Sequence, residues 1–172
     1  MKVLNRTNLI LVGLFGVISI LTGCNKEVSA PVVKAETILD VTQYARMSSD
    51  ELLEKLGEPL RRDEWIYENP NGETYPATSY FFEDNHFPIE FIAVENEIIK
   101  LNVLASQSEV RTMEINKYSD LLSLVGISPS ENIEKVMENS VTARYISVND
   151  TVNEVWATLD SKSVDYVRVT FE

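Results

Sequence analysis

At 172 residues, 44% hydrophobic and 24% charged, the chain has the balance of an ordinary globular protein, far from the low-hydrophobicity, high-charge composition of disordered segments. Fifteen Lys and Arg face 27 Asp and Glu, a net charge of −12 that repels phosphate backbones and anionic headgroups. No nucleic-acid partner and no direct adhesion to a bilayer surface are expected, and the acidity serves solubility first.

The chain opens with Lys2 and Arg6, no acid, and then an apolar run from Leu9 to Leu21. That order is a signal-peptide n-region and h-region. The run is 13 residues long, is interrupted by Gly13, Gly16 and Ser19, and falls short of the ~20 that a spanning helix needs. Leu21-Thr22-Gly23-Cys24 follows directly and resembles the lipobox of bacterial lipoproteins. The resemblance implies removal of residues 1–23 by cleavage between Gly23 and Cys24, a diacylglyceryl group on the Cys24 thiol, and stable anchoring at the extracytoplasmic face of the cell membrane by its two acyl chains. Cys24 is the only cysteine and, once lipidated, would leave no thiol, so disulfides, CxxC redox chemistry, cysteine nucleophiles and Cys-ligated zinc are not expected.

Residues 24–36 (CNKEVSAPVVKAE) show little periodicity and read as a flexible tether, leaving residues 37–172 as one globular body in two halves, 37–110 and 111–172. Ser48 and Glu51 match a capping box, Leu52, Leu53 and Leu56 make one apolar face, and Gly57 and Pro59 close a short helix. Extended runs at 61–68, 74–82, 87–95 and 98–104 follow, separated by Asn-Pro-Asn-Gly, Glu-Asp-Asn-His and Asn-Glu; connections this short imply antiparallel neighbours.

The second half repeats the plan. Asp120-Leu121-Leu122 with Gly126 and Pro129 lines up with Glu51-Leu52-Leu53, Gly57 and Pro59, residues 130–138 read as a second short helix, and strands are expected at 141–148, 152–159 and 164–171. The fold class expected is α+β, short helices packed on an antiparallel meander sheet in two similar halves.

A short helix, Leu-Gly-x-Pro, then an antiparallel meander resembles the module of the SmpA/OmlA group of lipoproteins and, in tandem, beta-lactamase inhibitor proteins, where a curved sheet presents aromatic side chains to a partner. The stretch GEPLRRDEWIYENPNGETYPATSYFFEDN is also similar to uncharacterised lipoproteins from Gram-positive bacteria. These resemblances imply a fold and bring no catalytic residues.

Motifs for catalysis are sparse. His86 is the single histidine and sits in a turn beside Glu83 and Asp84, where it can build neither an HExxH helix nor a histidine cage. GxSxG, GxGxxG and GxxxxGK[ST] are absent, and no spaced series of oxygen ligands marks a calcium loop. No cofactor and no metal site are expected.

Aromatic residues concentrate in the first meander, where Trp65, Tyr67, Tyr80 and Phe82 are candidates for a binding surface unless the second half packs over them. Phe81 and Phe82 must face opposite ways. Two functions follow. One is a non-enzymatic, membrane-anchored module binding a cell-envelope protein; the other is a small envelope hydrolase with two carboxylates in a concave site, their pKa values raised. A purely structural lipoprotein would show neither feature.

Overall fold

The computed structural model describes residues 32–34 and 37–171. The segment expected to be processed, with Gly23 and Cys24, lies outside the described residues. One sheet of ten strands dominates: β1 Val32–Lys34, β2 Arg61–Glu68, β3 Thr74–Asp84, β4 Phe87–Val94, β5 Glu97–Val103, β6 Thr112–Glu114, β7 Glu134–Asn139, β8 Thr142–Ile146, β9 Val152–Asp160 and β10 Ser163–Phe171. The helices are short, α1 Ser49–Leu56 and α2 Asp120–Leu124.

The expected α+β class is thereby overturned, because the sheet is most of the molecule and the helices are eight and five residues long. Glycines stop them early: Gly57 (φ +81°) ends α1, and Gly126 (φ +76°) follows α2, where Gly126 and Ile127 donate to the carbonyls of Ser123 and Leu122 in a Schellman closure. The helix expected at 130–138 is a second correction. Strand β7 occupies Glu134–Asn139 and pairs with β8, its turn set by the Asn139 side chain accepting from the amides of Val141 and Thr142. Its six residues are almost wholly exposed, so backbone pairing, not an apolar stripe, selects the conformation. Part of the expected flexible tether is also ordered: β1 pairs in parallel with β6.

Along the order β2-β3-β4-β5-β10-β9-β8-β7 every neighbouring pair is antiparallel, and the two meanders join edge to edge through β5 and β10. Both outer strands carry charges on a row of otherwise open backbone groups, a common guard against edge-to-edge aggregation.

Register sorts the side chains. Tyr80, Phe91, Leu101, Val169, Val155 and Tyr145 are cross-strand partners in one row, and none is more than 4% exposed. This face is roofed by Val41 and Tyr44 of a 3-10 turn, Leu52 of α1, Leu121 and Leu122 of α2, and Met113 of β6. The roof is tied together where Ile38 and Val41 donate to the carbonyls of Leu124 and Val125. The capping box of α1 forms as the sequence indicates: Ser48 Oγ accepts from the Glu51 amide while the Glu51 carboxylate accepts from Ser48, which lowers the Glu51 pKa.

Two phenols of this core make stability sensitive to alkali. Burial, aided by Asp84 and Asp40, raises the Tyr44 pKa, while burial and then the 2.6 Å bond to Glu138 Oε1 raise that of Tyr145. The unfolded chain therefore releases these protons first. Their contribution is complete below about pH 10 and is lost progressively as the pH rises above it. Urea titrations should show stability level below about pH 10 and falling above it, less steeply in Tyr145→Phe; a flat profile up to about pH 11.5 would refute the assignment.

Candidate functional site

One residue along each strand, the neighbouring row Phe81, Glu90, Asn102, Arg168, Trp156 and Arg144 points to the other face. Here Phe81, Glu90, Trp156 and Arg168 are half-buried over the buried Ala77, Ser79, Ile92 and Asn102, and the second meander extends the face sideways instead of stacking on it. The result is a broad surface of aromatic and charged groups packed against one another.

Its centre is a hydrogen-bonded network. The Tyr166 hydroxyl donates to Asn102 Oδ1 at 2.6 Å, and Asn102 Nδ2 donates to Glu90 Oε2 at 2.8 Å, linking β10, β5 and β4. Burial pushes the Tyr166 pKa up, the Arg168 charge opposes this, and Glu90 adds to it. Glu154 accepts from Arg144 and lies 3.6 Å from Arg168, whose guanidinium sits 4.7 Å from the Trp156 ring centroid. Trp156 meets Tyr166 edge-on at 5.8 Å and donates from Nε1 to Thr142 Oγ1. Asn102 is 6% exposed, so Asn102→Ala strands two polar partners and should cost about 1–3 kcal/mol by chemical denaturation; a smaller loss would show that the network is not coupled to folding.

The sequence-selected residues divide between the two faces. Trp65 belongs to the open one, is 39% exposed, and donates to Ser79 Oγ. Tyr67 lies beside it, 6.1 Å away edge-on, with Lys100 Nζ 4.7 Å from its ring centroid. Tyr80 and Phe82, by contrast, are 4% and 8% exposed in the core, which removes them from an open aromatic patch. The hairpin register decides this: Trp65 pairs with Ala77, so the open face takes Ser79 and Phe81 while Tyr80 and Phe82 turn inward. Tyr80 still lines a groove of about 590 Å³ between α1 and β2, alongside Leu53, Pro59, Leu60 and Arg62.

Sequence reasoning missed Trp156, Tyr166, Arg168 and Glu154, which alternate with apolar residues in β9 and β10. The signal available was that alternation, joined to the pairing of β5 with β10 that no local pattern announces.

His86 occupies an exposed turn with Nδ1 3.9 Å from Glu83 Oε1. Among the described residues no group of three or more His, Cys, Asp or Glu is placed to share a metal ion, and no helix is long and apolar enough to cross a membrane. Hydrogen bonds lower the Glu51 and Glu73 pKa values, the opposite of what a general acid needs.

No protein-family model and no curated protein matches the chain. The solved structures that overlap with it include two from bacteria. One is an extracellular protein containing a SCP domain from Bacillus anthracis str. Ames, at 17% identity and a TM-score of 0.40, covering 78% of this chain and 46% of that one. The other is a cysteine-rich secretory protein from Staphylococcus aureus subsp. aureus Mu50, at 12% identity and a TM-score of 0.40, covering 82% and 50%. The chain thus spans about half the length of the solved structures it matches. Similarity at this level carries neither a family nor an activity to the chain.

Proposed function

We propose that this protein is a lipid-anchored, extracytoplasmic, non-enzymatic interaction module that meets a cell-envelope protein with its open sheet face. The anchor reading rests on the Leu21-Thr22-Gly23-Cys24 resemblance and the charged, then apolar, segment before it. The observation carrying the binding role is the face itself, on which Trp65, Tyr67, Trp156 and Tyr166 stand among Lys100, Arg144 and Arg168. Tryptophan, tyrosine and arginine are the residue types that dominate binding energy at protein interfaces. Here they are already held by neighbours, so little side-chain entropy remains to be lost on docking.

Chemical cross-linking on intact cells, followed by capture of the full chain from detergent, tests the reading. A specific envelope protein should be captured, and Trp65→Ala or Trp156→Ala should each cut capture at least about tenfold, a loss of about 1.4 kcal/mol, while the thermal transition stays cooperative. Capture unchanged in both variants would remove the open face from the function. Cys24→Ala separately moves the protein out of the membrane fraction if the anchor is correct; retention there would reject the anchor and leave the face untouched.

A further inference from the structure

Strand β2 ends the sheet; among the described residues no strand pairs on its outer side, and all but one of its side chains are exposed. The hairpin register fixes which backbone groups are free there. The Asn69 amide donates to the Glu73 carbonyl in the same register that pairs Arg61 with Phe81, so the odd-numbered backbone groups of β2 turn toward β3 and those of Arg62, Glu64 and Ile66 face outward. Leu60 and Ile66, at the two ends of this stretch, are 76% and 64% exposed, more than any other large apolar side chain among the described residues. Between them stands Arg61-Arg62-Asp63-Glu64, a neutral strip in a chain of net charge −12. Charges on an edge deter strands in general; charges in this order admit one partner.

We propose that β2 pairs antiparallel with β2 of a second copy of this chain, about a two-fold axis through Asp63, and so continues the sheet from one molecule into the next. An axis normal to the sheet keeps every residue on its own face. Arg62 then stands opposite the partner's Glu64, Arg61 opposite the partner's Trp65, and Leu60 opposite the partner's Ile66, each contact being made twice. The outward backbone groups of Arg62 and Glu64 meet in hydrogen-bonded pairs. Asp63 meets its own copy at the axis, where Arg61 of the same chain, 3.0 Å away, and the partner's Arg61 across the diagonal offset the like charges.

The apolar ends set the register. Moving the axis one residue either way puts Leu60 against the partner's Glu64 or the partner's Glu68 and leaves Ile66 without its apolar contact. The other edge, β7, is less suited to pairing with itself, because Glu134 and Glu138 outnumber Lys135 and two copies would bring like charge together. Strand β2 against β7 would join copies head to tail without end, whereas the two-fold contact stops at two. The pair lays two open faces side by side with Arg61 and Trp65 at the seam, and it stands whether or not that face binds an envelope protein.

One strand pair is a small interface, so the dimer is expected to dissociate on dilution and is best trapped covalently. Opposed residues of a non-hydrogen-bonded pair have Cα atoms about 4.5 Å apart, within reach of a disulfide. Under mild oxidation of intact cells, the full chain carrying Asp63→Cys should give a product of twice the chain's mass at least about tenfold above the parent chain, whose one cysteine is Cys24. Arg61→Cys and Trp65→Cys should each stay at the parent level, since each thiol is about 14 Å along the strands from its own copy, and should link when the two variants are expressed together. Adding Arg62→Glu to the Asp63→Cys chain should cut its product at least about fivefold, and adding Glu64→Arg as well should restore it, a rescue that a change in folding would not produce. A product at the parent level, or one of any other mass, overturns the second copy as the occupant. Arg61→Cys linking alone as strongly as Asp63→Cys overturns the register, and failure of the charge exchange to restore the product overturns the matching of Arg62 with Glu64.

Discussion

Phe91→Ala is expected to lower the unfolding free energy by about 3–5 kcal/mol. Phe91 sits in β4, is 1% exposed, and carries the aromatic contacts that join the sheet to its roof: Tyr44 at 4.8 Å and Phe82 edge-on at 5.8 Å. Truncation removes a buried ring and leaves a hole between two layers that backbone pairing on one side and helix caps on the other keep from collapsing. A domain of this size holds roughly 5–15 kcal/mol in total, so the variant gives up a large share. Phe81→Ala is the matched control. Phe81 lies one strand away on the open face, covered by Arg61 at 3.8 Å from its centroid, and its loss should cost less than half as much. Urea unfolding of the two variants distinguishes the faces; comparable losses would mean that the buried and open rows have been assigned the wrong way round.

Gly126→Ala should cost about 2–4 kcal/mol, from two causes acting together. At φ +76° an L residue is strained, and an added Cβ would stand 2.7 Å from the Asp40 Cα, a backbone atom held in place by the hydrogen bonds of Ile38 and Val41 to the end of α2. The roof has to move. Gly57, its counterpart after α1, has φ +81° but open space around its Cβ position, so Gly57→Ala pays for backbone conformation alone. The expected result is a larger loss at 126, with faster amide exchange at Ile38 and Val41 in that variant only. Equal costs and unchanged exchange at those amides would refute the close approach.

Much of the local structure was legible. Capping box, helix stop and hairpin turns in residues 48–104 each have a sequence signature, and the structure places α1 and β2 to β5 where those signatures fall. What was misread was proportion, along with one element. A leucine pair closed by glycine marks a helix but not its length, so α2 contributes only five residues. Residues 130–138 have no strong period, and the neighbouring β8 backbone settled β7 as a strand.

The sequence by itself determined the acidic character, the lone thiol, the order of a basic and then an apolar stretch before Cys24, and the alternation that makes strands. Only the tertiary structure decided which aromatics are buried and which are offered. A one-residue change of register exchanges the two faces of a strand, so Tyr80 and Phe82 could be separated from Trp65 and Phe81 only by the β2–β3 pairing. Likewise the joining of the meanders through β5 and β10, partners more than 60 residues apart, made one open face from two half-faces. Contacts at that separation leave no trace in a local pattern, because they are selected by the burial of the whole sheet.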